Sequence, residues 1–175
     1  SGGQLSLRGQ SDGNGVTVNG LGSSAVFLGN TVDINSGTTS LASGSSITGQ
    51  NGITLSAATL SMLGSASRII NAAGNATINL TNAFTNNGLM YSAGNLTLNG
   101  YTITNASTGG IAASGTLDVN STGSVYNDGA FYGGTLLDIS APSEIYNRAT
   151  GTMDSGQDMA FTSNVLVIES LRLLS

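Results

Sequence analysis

From residue 73 onward, short alternations of apolar and polar residues recur at a fixed spacing. Aligning the glycine before each apolar pair gives Gly74-Asn-Ala-Thr-Ile78, Gly94-Asn-Leu-Thr-Leu98, Gly115-Thr-Leu-Asp-Val119 and Gly134-Thr-Leu-Leu-Asp-Ile139. Gly156-Gln-Asp-Met-Ala-Phe161 is a fifth copy, and the five glycines lie 20, 21, 19 and 22 residues apart. A second column recurs inside each unit as Phe84-Thr-Asn86, Ile103-Thr-Asn105, Val125-Tyr-Asn127 and Ile145-Tyr-Asn147. A third follows as Gly88-Leu-Met90, Gly109-Gly-Ile111, Gly129-Ala-Phe131 and Gly151-Thr-Met153. Three columns that keep one period of about 20 residues constitute an internal repeat.

Within a unit, Leu96-Thr97-Leu98-Asn99 shows the period-two alternation of a strand with one buried face. Three such short strands, separated by Gly and Asn corners, cannot bury that face alone. Stacked units can, because each coil covers the apolar face of the one before it. The pattern therefore predicts an all-β parallel β-helix of some eight coils, about 4.8 Å apart, making a rod of roughly 40 Å. Phe84, Ile103, Val125 and Ile145 then form one inward ladder, and Met90, Ile111, Phe131 and Met153 another. Asn86, Asn105, Asn127 and Asn147 lie two residues beyond an inward position, which points them inward at a corner where stacked amides bond one another. The other reading is of ordinary turn asparagines.

The period is weaker towards the N-terminus. Val32-Asp-Ile34 and Ile53-Thr-Leu55 are 21 apart and read as one strand in two coils, as do Leu41 and Met62. Before residue 30, Leu5-Ser-Leu7, Val16-Thr-Val18 and 26–28 come every 10 or 11 residues, which suits a hairpin or distorted coil. The expected organisation is 1–29 as irregular N-terminal coils or hairpin, 30–164 as β-helix repeats, and 165–175 as a final strand or cap.

Composition then excludes other classes. The chain has 175 residues, 26 of them Gly and 18 Asn, with only four basic and nine acidic side chains and a net charge of −5. Four Arg cannot make the basic stripe a nucleic-acid binder needs. Without Cys or His there is no expected zinc site, haem ligation, disulfide or His- or Cys-dependent catalysis, and no cofactor is expected. Apolar runs reach four residues, as at 165–168, far short of a membrane-spanning helix. Few charges, one Pro and evenly spread Val, Ile, Thr and Leu argue against disorder. Length suggests one domain. The absence of Cys suits a protein that crosses a periplasm without forming disulfides. Residues 1–20 lack the charged start and apolar stretch of a signal peptide, so the expectation is either a cytoplasmic protein or a piece of a longer exported one.

At the repeat columns the chain resembles the filamentous haemagglutinin-like exoproteins of Gram-negative two-partner secretion systems. Their repeats read approximately A-G-N-L-x-L, I-x-N and G-x-I-x-A-x-G. Here Ala93-Gly-Asn-Leu-Thr-Leu98, Ile103-Thr-Asn105 and Gly110-Ile-Ala-Ala-Ser-Gly115 match, with good cover over 73–161. The resemblance implies a right-handed β-helix, exported through a dedicated outer-membrane transporter to the cell surface. It also implies a role in adhesion, biofilm formation or contact-dependent growth inhibition, with toxin delivery in the last case. Neither the family's N-terminal secretion domain nor a C-terminal toxin module is evident, so the expected function is an internal stalk segment. A receptor protein or glycan on a target cell is the expected partner.

Candidate sites follow from the outward positions. Tyr126 and Tyr146 occupy the same outward place in adjacent coils, and Tyr91 and Tyr132 share another, two coils apart. Exposed stacked aromatics can anchor a receptor or ligand, or simply stabilise the sheet. Asp118 and Asp138 share an outward column, but two carboxylates make a poor Ca²⁺ site, and solvated acids are the plainer reading. The alternative function is a β-helix polysaccharide-degrading enzyme using Asp118, Asp138, Asp154 and Asp158 with Arg148. Asp154 and Asp158 flank a corner at Gly156, so no paired-carboxylate arrangement is evident and no catalytic residue is assigned. Five N-x-S/T sequons, at Asn75, Asn79, Asn95, Asn105 and Asn120, follow from composition. An ice-binding T-x-T ladder fails, because Thr102-Ile103-Thr104 has no matching neighbours.

Overall fold

The computed structural model describes residues 5–8, 17–20 and 26–169. Residues 1–4, 9–16, 21–25 and 170–175 lie outside the described residues, among them parts of the expected N-terminal coils and of the expected final strand or cap. The chain begins with β1 (Leu5–Arg8) and β2 (Thr17–Gly20), followed by the long, bent strands β3 (Val26–Leu41) and β4 (Ser46–Met62). Three short strands per coil follow: β5 (Arg68–Asn71), β6 (Ala76–Leu80) and β7 (Phe84–Asn86), then β8 (Leu89–Ser92), β9 (Leu96–Gly100) and β10 (Ile103–Asn105). The next coil is β11 (Gly110–Ala113), β12 (Thr116–Ser121) and β13 (Ser124–Asn127). The last are β14 (Ala130–Gly133), β15 (Leu136–Asn147), β16 (Thr152–Ser155) and β17 (Asp158–Ile168). Each strand pairs in parallel with its counterpart one coil away, giving a β-solenoid of about 7 turns at ~21 residues per turn over the described residues.

The three repeat columns are in register. Phe84, Ile103, Val125 and Ile145 pair in succession, as do Met90, Ile111, Phe131 and Met153, and all eight side chains are buried. The inward face of the first strand in each alignment continues upward from Val32 through Ile53, Ala76, Leu96, Leu117 and Leu137. Each apolar residue inside the stack is covered by its equivalents in the adjacent coils, which removes it from water without any second layer.

Asn86, Asn105, Asn127 and Asn147 point inward and are fully buried. The Asn86 Nδ2 donates to Asn105 Oδ1 at 2.9 Å, Asn105 Nδ2 to Asn127 Oδ1 at 2.8 Å, and Asn127 Nδ2 to Asn147 Oδ1 at 2.7 Å. The same amides also donate to corner carbonyls: Asn105 to Ala130, Asn127 to Thr152 and Asn147 to Gly151. The ladder thus satisfies both its own polar atoms and corner backbone, as burial requires. Register places Met62 below Asn86 and Ile168 above Asn147, so the amide stack has an apolar residue at each end.

The glycine that precedes the third column is explained by this ladder. A Cβ on Gly109 would collide with the Asn105 amide oxygen and the Asn86 carbonyl, and one on Gly129 with the carbonyls of Ala106 and Gly109. The corner closes over the amides only where there is no side chain. Gly74 serves a different need, with a left-handed φ of 70° against the Asn51 carbonyl.

The N-terminal strands join the stack in parallel, as coils do, whereas a hairpin pairs antiparallel. Leu5 lies opposite Val32 and Thr17 opposite Thr38, separations of 27 and 21 residues, so 27 − 21 = 6 extra residues lie between β1 and β2. The 10–11-residue spacing is therefore that of successive strands within one coil, lengthened between β1 and β2 by those residues. The stack also runs through both expected boundaries: residue 30 lies inside β3 and residue 165 inside β17. Among the described residues β17 pairs with β15 on one side, and Val165 and Leu166 are 47% and 48% exposed.

Candidate functional site

Outward residues repeat in columns as inward ones do, so any site on the solenoid is a stripe along its axis. Tyr126 and Tyr146 face each other across β13 and β15. The Arg148 guanidinium carbon sits 5.4 Å from one ring centroid and 5.7 Å from the other, and its Nη1 donates to Asp128 Oδ2 at 2.6 Å. The Tyr146 hydroxyl donates to a Glu169 carboxylate oxygen, whose partner oxygen accepts the Ala149 amide at 2.9 Å. The bond to Glu169, with desolvation and the carboxylate's charge, pushes the Tyr146 phenol up from its ordinary value. These two rings are therefore engaged by Arg148 in a clip across the last coils. Arg148→Ala should destabilise the protein by about 1 kcal/mol, from the lost cation–π and ion-pair contacts, read as a lower denaturation midpoint.

Tyr91 and Tyr132 belong to one column but are separated by Ala112 of the intervening coil. The Tyr91 hydroxyl shares a hydrogen bond with Ser114 Oγ at 2.8 Å, whereas Tyr132 is 42% exposed. The structure brings the first tyrosine pair together and leaves the second apart.

Asp118 and Asp138 are directly opposed across β12 and β15. Partial burial of Asp118 pushes its carboxyl above the ordinary range, the Asn120 amide at 2.8 Å lowers it, and the Asp138 charge raises it further. Among the described residues no three His, Cys, Asp or Glu side chains come together. A carboxyl raised in the folded state favours its protonated form, so its stabilising effect is present at low pH and lost as pH rises through the folded value. Asp118→Asn should therefore raise stability by a few tenths of a kcal/mol at neutral pH and leave it unchanged below the carboxylate range. Thermal unfolding at both pH values checks this.

Of the sequon asparagines, Asn105 is buried in the ladder and cannot carry a glycan in the folded chain. Asn75 and Asn95 use their side-chain oxygens to accept the backbone amides of Asn95 and Thr116, each at 3.0 Å.

One stripe was not anticipated. The residue after the second apolar position of the β6, β9 and β12 strands is Asn each time, and register stacks Asn35, Ser56, Asn79, Asn99 and Asn120 on the outer surface. The Asn99 Nδ2 donates to Asn79 Oδ1 at 2.7 Å, while the Asn120 amide turns to Asp118. This outer column flanks a groove at the corner between two faces. The groove has two stretches of about 310 and 380 Å³ that share Leu80, Thr81 and Asn99, and Tyr101 lines the second while remaining 57% exposed. The sequence signal was present in Ile78-Asn79, Leu98-Asn99 and Val119-Asn120, which the glycine alignment already superposes.

No family model, curated protein or solved structure matches this chain.

Proposed function

We propose that this chain is an internal stalk segment of a secreted bacterial surface exoprotein of the filamentous haemagglutinin-like, two-partner secretion type. It mediates adhesion or contact with target cells. On this reading the whole protein leaves a Gram-negative cell through a dedicated outer-membrane transporter and works at the cell surface, with no cofactor. The supporting observation is the unbroken parallel stack from β1 to β17, in which successive coils bury one continuous core and one amide ladder. Such a rod holds a distal part away from a membrane at fixed length. Contact-dependent growth inhibition effectors place receptor recognition in an internal segment, and the outward tyrosines are the candidate contacts here. Among them Tyr132 has the freer ring, since Arg148 covers Tyr126 and Tyr146.

The reading is tested with fluorescently labelled protein on Gram-negative cells. Saturable binding is expected at micromolar concentration, weakened by Tyr132→Ala with Tyr91→Ala. Absence of saturable binding to any strain tried at that concentration contradicts a receptor-contacting segment.

A further inference from the structure

The groove beside the outer asparagine column has the chemistry of a binding site for an extended, uncharged polymer. Its wall carries Asn35, Ser56, Asn79, Asn99 and Asn120 on successive coils, so amide and hydroxyl groups repeat about every 4.8 Å over roughly 19 Å of axis. An amide offers both donor and acceptor, which suits hydroxyl groups that do the same. Because the Asn120 amide is held by Asp118, it does not cap Asn99, and the stripe of paired amides stops at Asn99 where the two stretches of groove meet. There the floor is Leu80 and Gly100, and Tyr101 stands exposed at the rim, with no hydrogen bond from its hydroxyl among the described residues. An exposed aromatic face above a line of polar groups presents an apolar platform to a sugar ring and polar groups to its hydroxyls.

Two competing occupants fit less well. An extended peptide binds a sheet by adding a strand, but the backbone groups of these walls are already spent on coil-to-coil pairing. An anionic polymer meets no cation among the described lining residues of either stretch, and Asp118 and Asp138 lie beside the stripe; Arg8 stands at the register position beyond Asn35, at the opposite end from Tyr101. We infer that this groove binds a neutral linear glycan along the solenoid axis, with Asn79 and Asn99 bonding its hydroxyls and Tyr101 stacking on one ring. The inference does not rest on the stalk reading, because a solenoid of any function would carry the same groove.

The test is titration of the full chain, followed by NMR, with the hexasaccharides of β-1,4-glucose, α-1,4-glucose and β-1,4-N-acetylglucosamine. Hexagalacturonate and a neutral hexapeptide serve as comparators. At least one neutral hexasaccharide should bind saturably at millimolar concentration and shift the side-chain amide signals of Asn79 and Asn99. Tyr101→Ala should weaken that binding about tenfold. Tyr101 is exposed, so the variant folds, which an unchanged circular dichroism spectrum verifies. Leu63→Ala, an exposed side chain outside the groove, should leave affinity unchanged. The inference is overturned if no neutral hexasaccharide binds, if Tyr101→Ala leaves affinity intact, or if hexagalacturonate or the peptide binds more tightly. Failure here leaves the cell-binding experiment unaffected, so the two readings fall separately.

Discussion

Asn127→Leu lowers the unfolding free energy by about 3 kcal/mol, although leucine has the same branched heavy-atom skeleton as asparagine and is more apolar. The loss comes from the partners left behind. Asn147 Oδ1 loses the amide it accepts at 2.7 Å, the Thr152 carbonyl loses its donor at 2.9 Å, and the Asn105 amide loses its ladder acceptor while keeping Ala130. Each buried hydrogen bond to these atoms that is lost costs about 1–3 kcal/mol, and relaxation at the corner offsets part of the sum. Asn79→Leu in the outer column is the matched control. Its neighbours are half-exposed and water replaces the bonds it makes with Asn99 and Ser56, so about 0.5 kcal/mol is expected. Denaturant midpoints of the two variants decide it. Equal losses would mean that the inner amides are no more consequential than the outer ones.

A loss of about 3–5 kcal/mol is expected for Phe131→Ala. Phe131 is buried between Ile111 and Met153 and is held by a ladder partner on both sides. Backbone pairing along β11, β14 and β16 prevents the coils from closing on the void, so the cavity persists. Phe161 has β15 on one side and is half-buried, so Phe161→Ala should cost about 1–2 kcal/mol. A solenoid can unfold from its ends, so the comparison uses hydrogen exchange at β11–β14 as well as the global midpoint. Protection lost equally in both variants would contradict a core organised coil by coil.

The fold was legible because a solenoid writes its contacts into its sequence at one separation. Asn86, Asn105, Asn127 and Asn147 recur at that separation, and the structure pairs them residue for residue. Their choice between turn residue and inward ladder was settled by alternation: the residue two before each is apolar and buried. The N-terminal coil resisted because six extra residues between β1 and β2 break the period without breaking the register. Outward positions were harder to read. Nothing in the Tyr126 and Tyr146 columns announces Arg148, a single residue whose reach to two coils depends on side-chain conformation. The outer asparagines are regular in sequence, yet only the bend between faces turns their stripe into the wall of a groove.

The central claim is that coils stack with an internal amide ladder, and NMR of the side-chain amides tests it most directly. The account predicts through-space contacts linking the Nδ2 protons of Asn86, Asn105, Asn127 and Asn147 in that order, with slow exchange against deuterated water. The Asn79 and Asn99 amides of the outer column should exchange much faster. Rapid exchange of the four inner amides, or contacts that join asparagines out of that order, would contradict it.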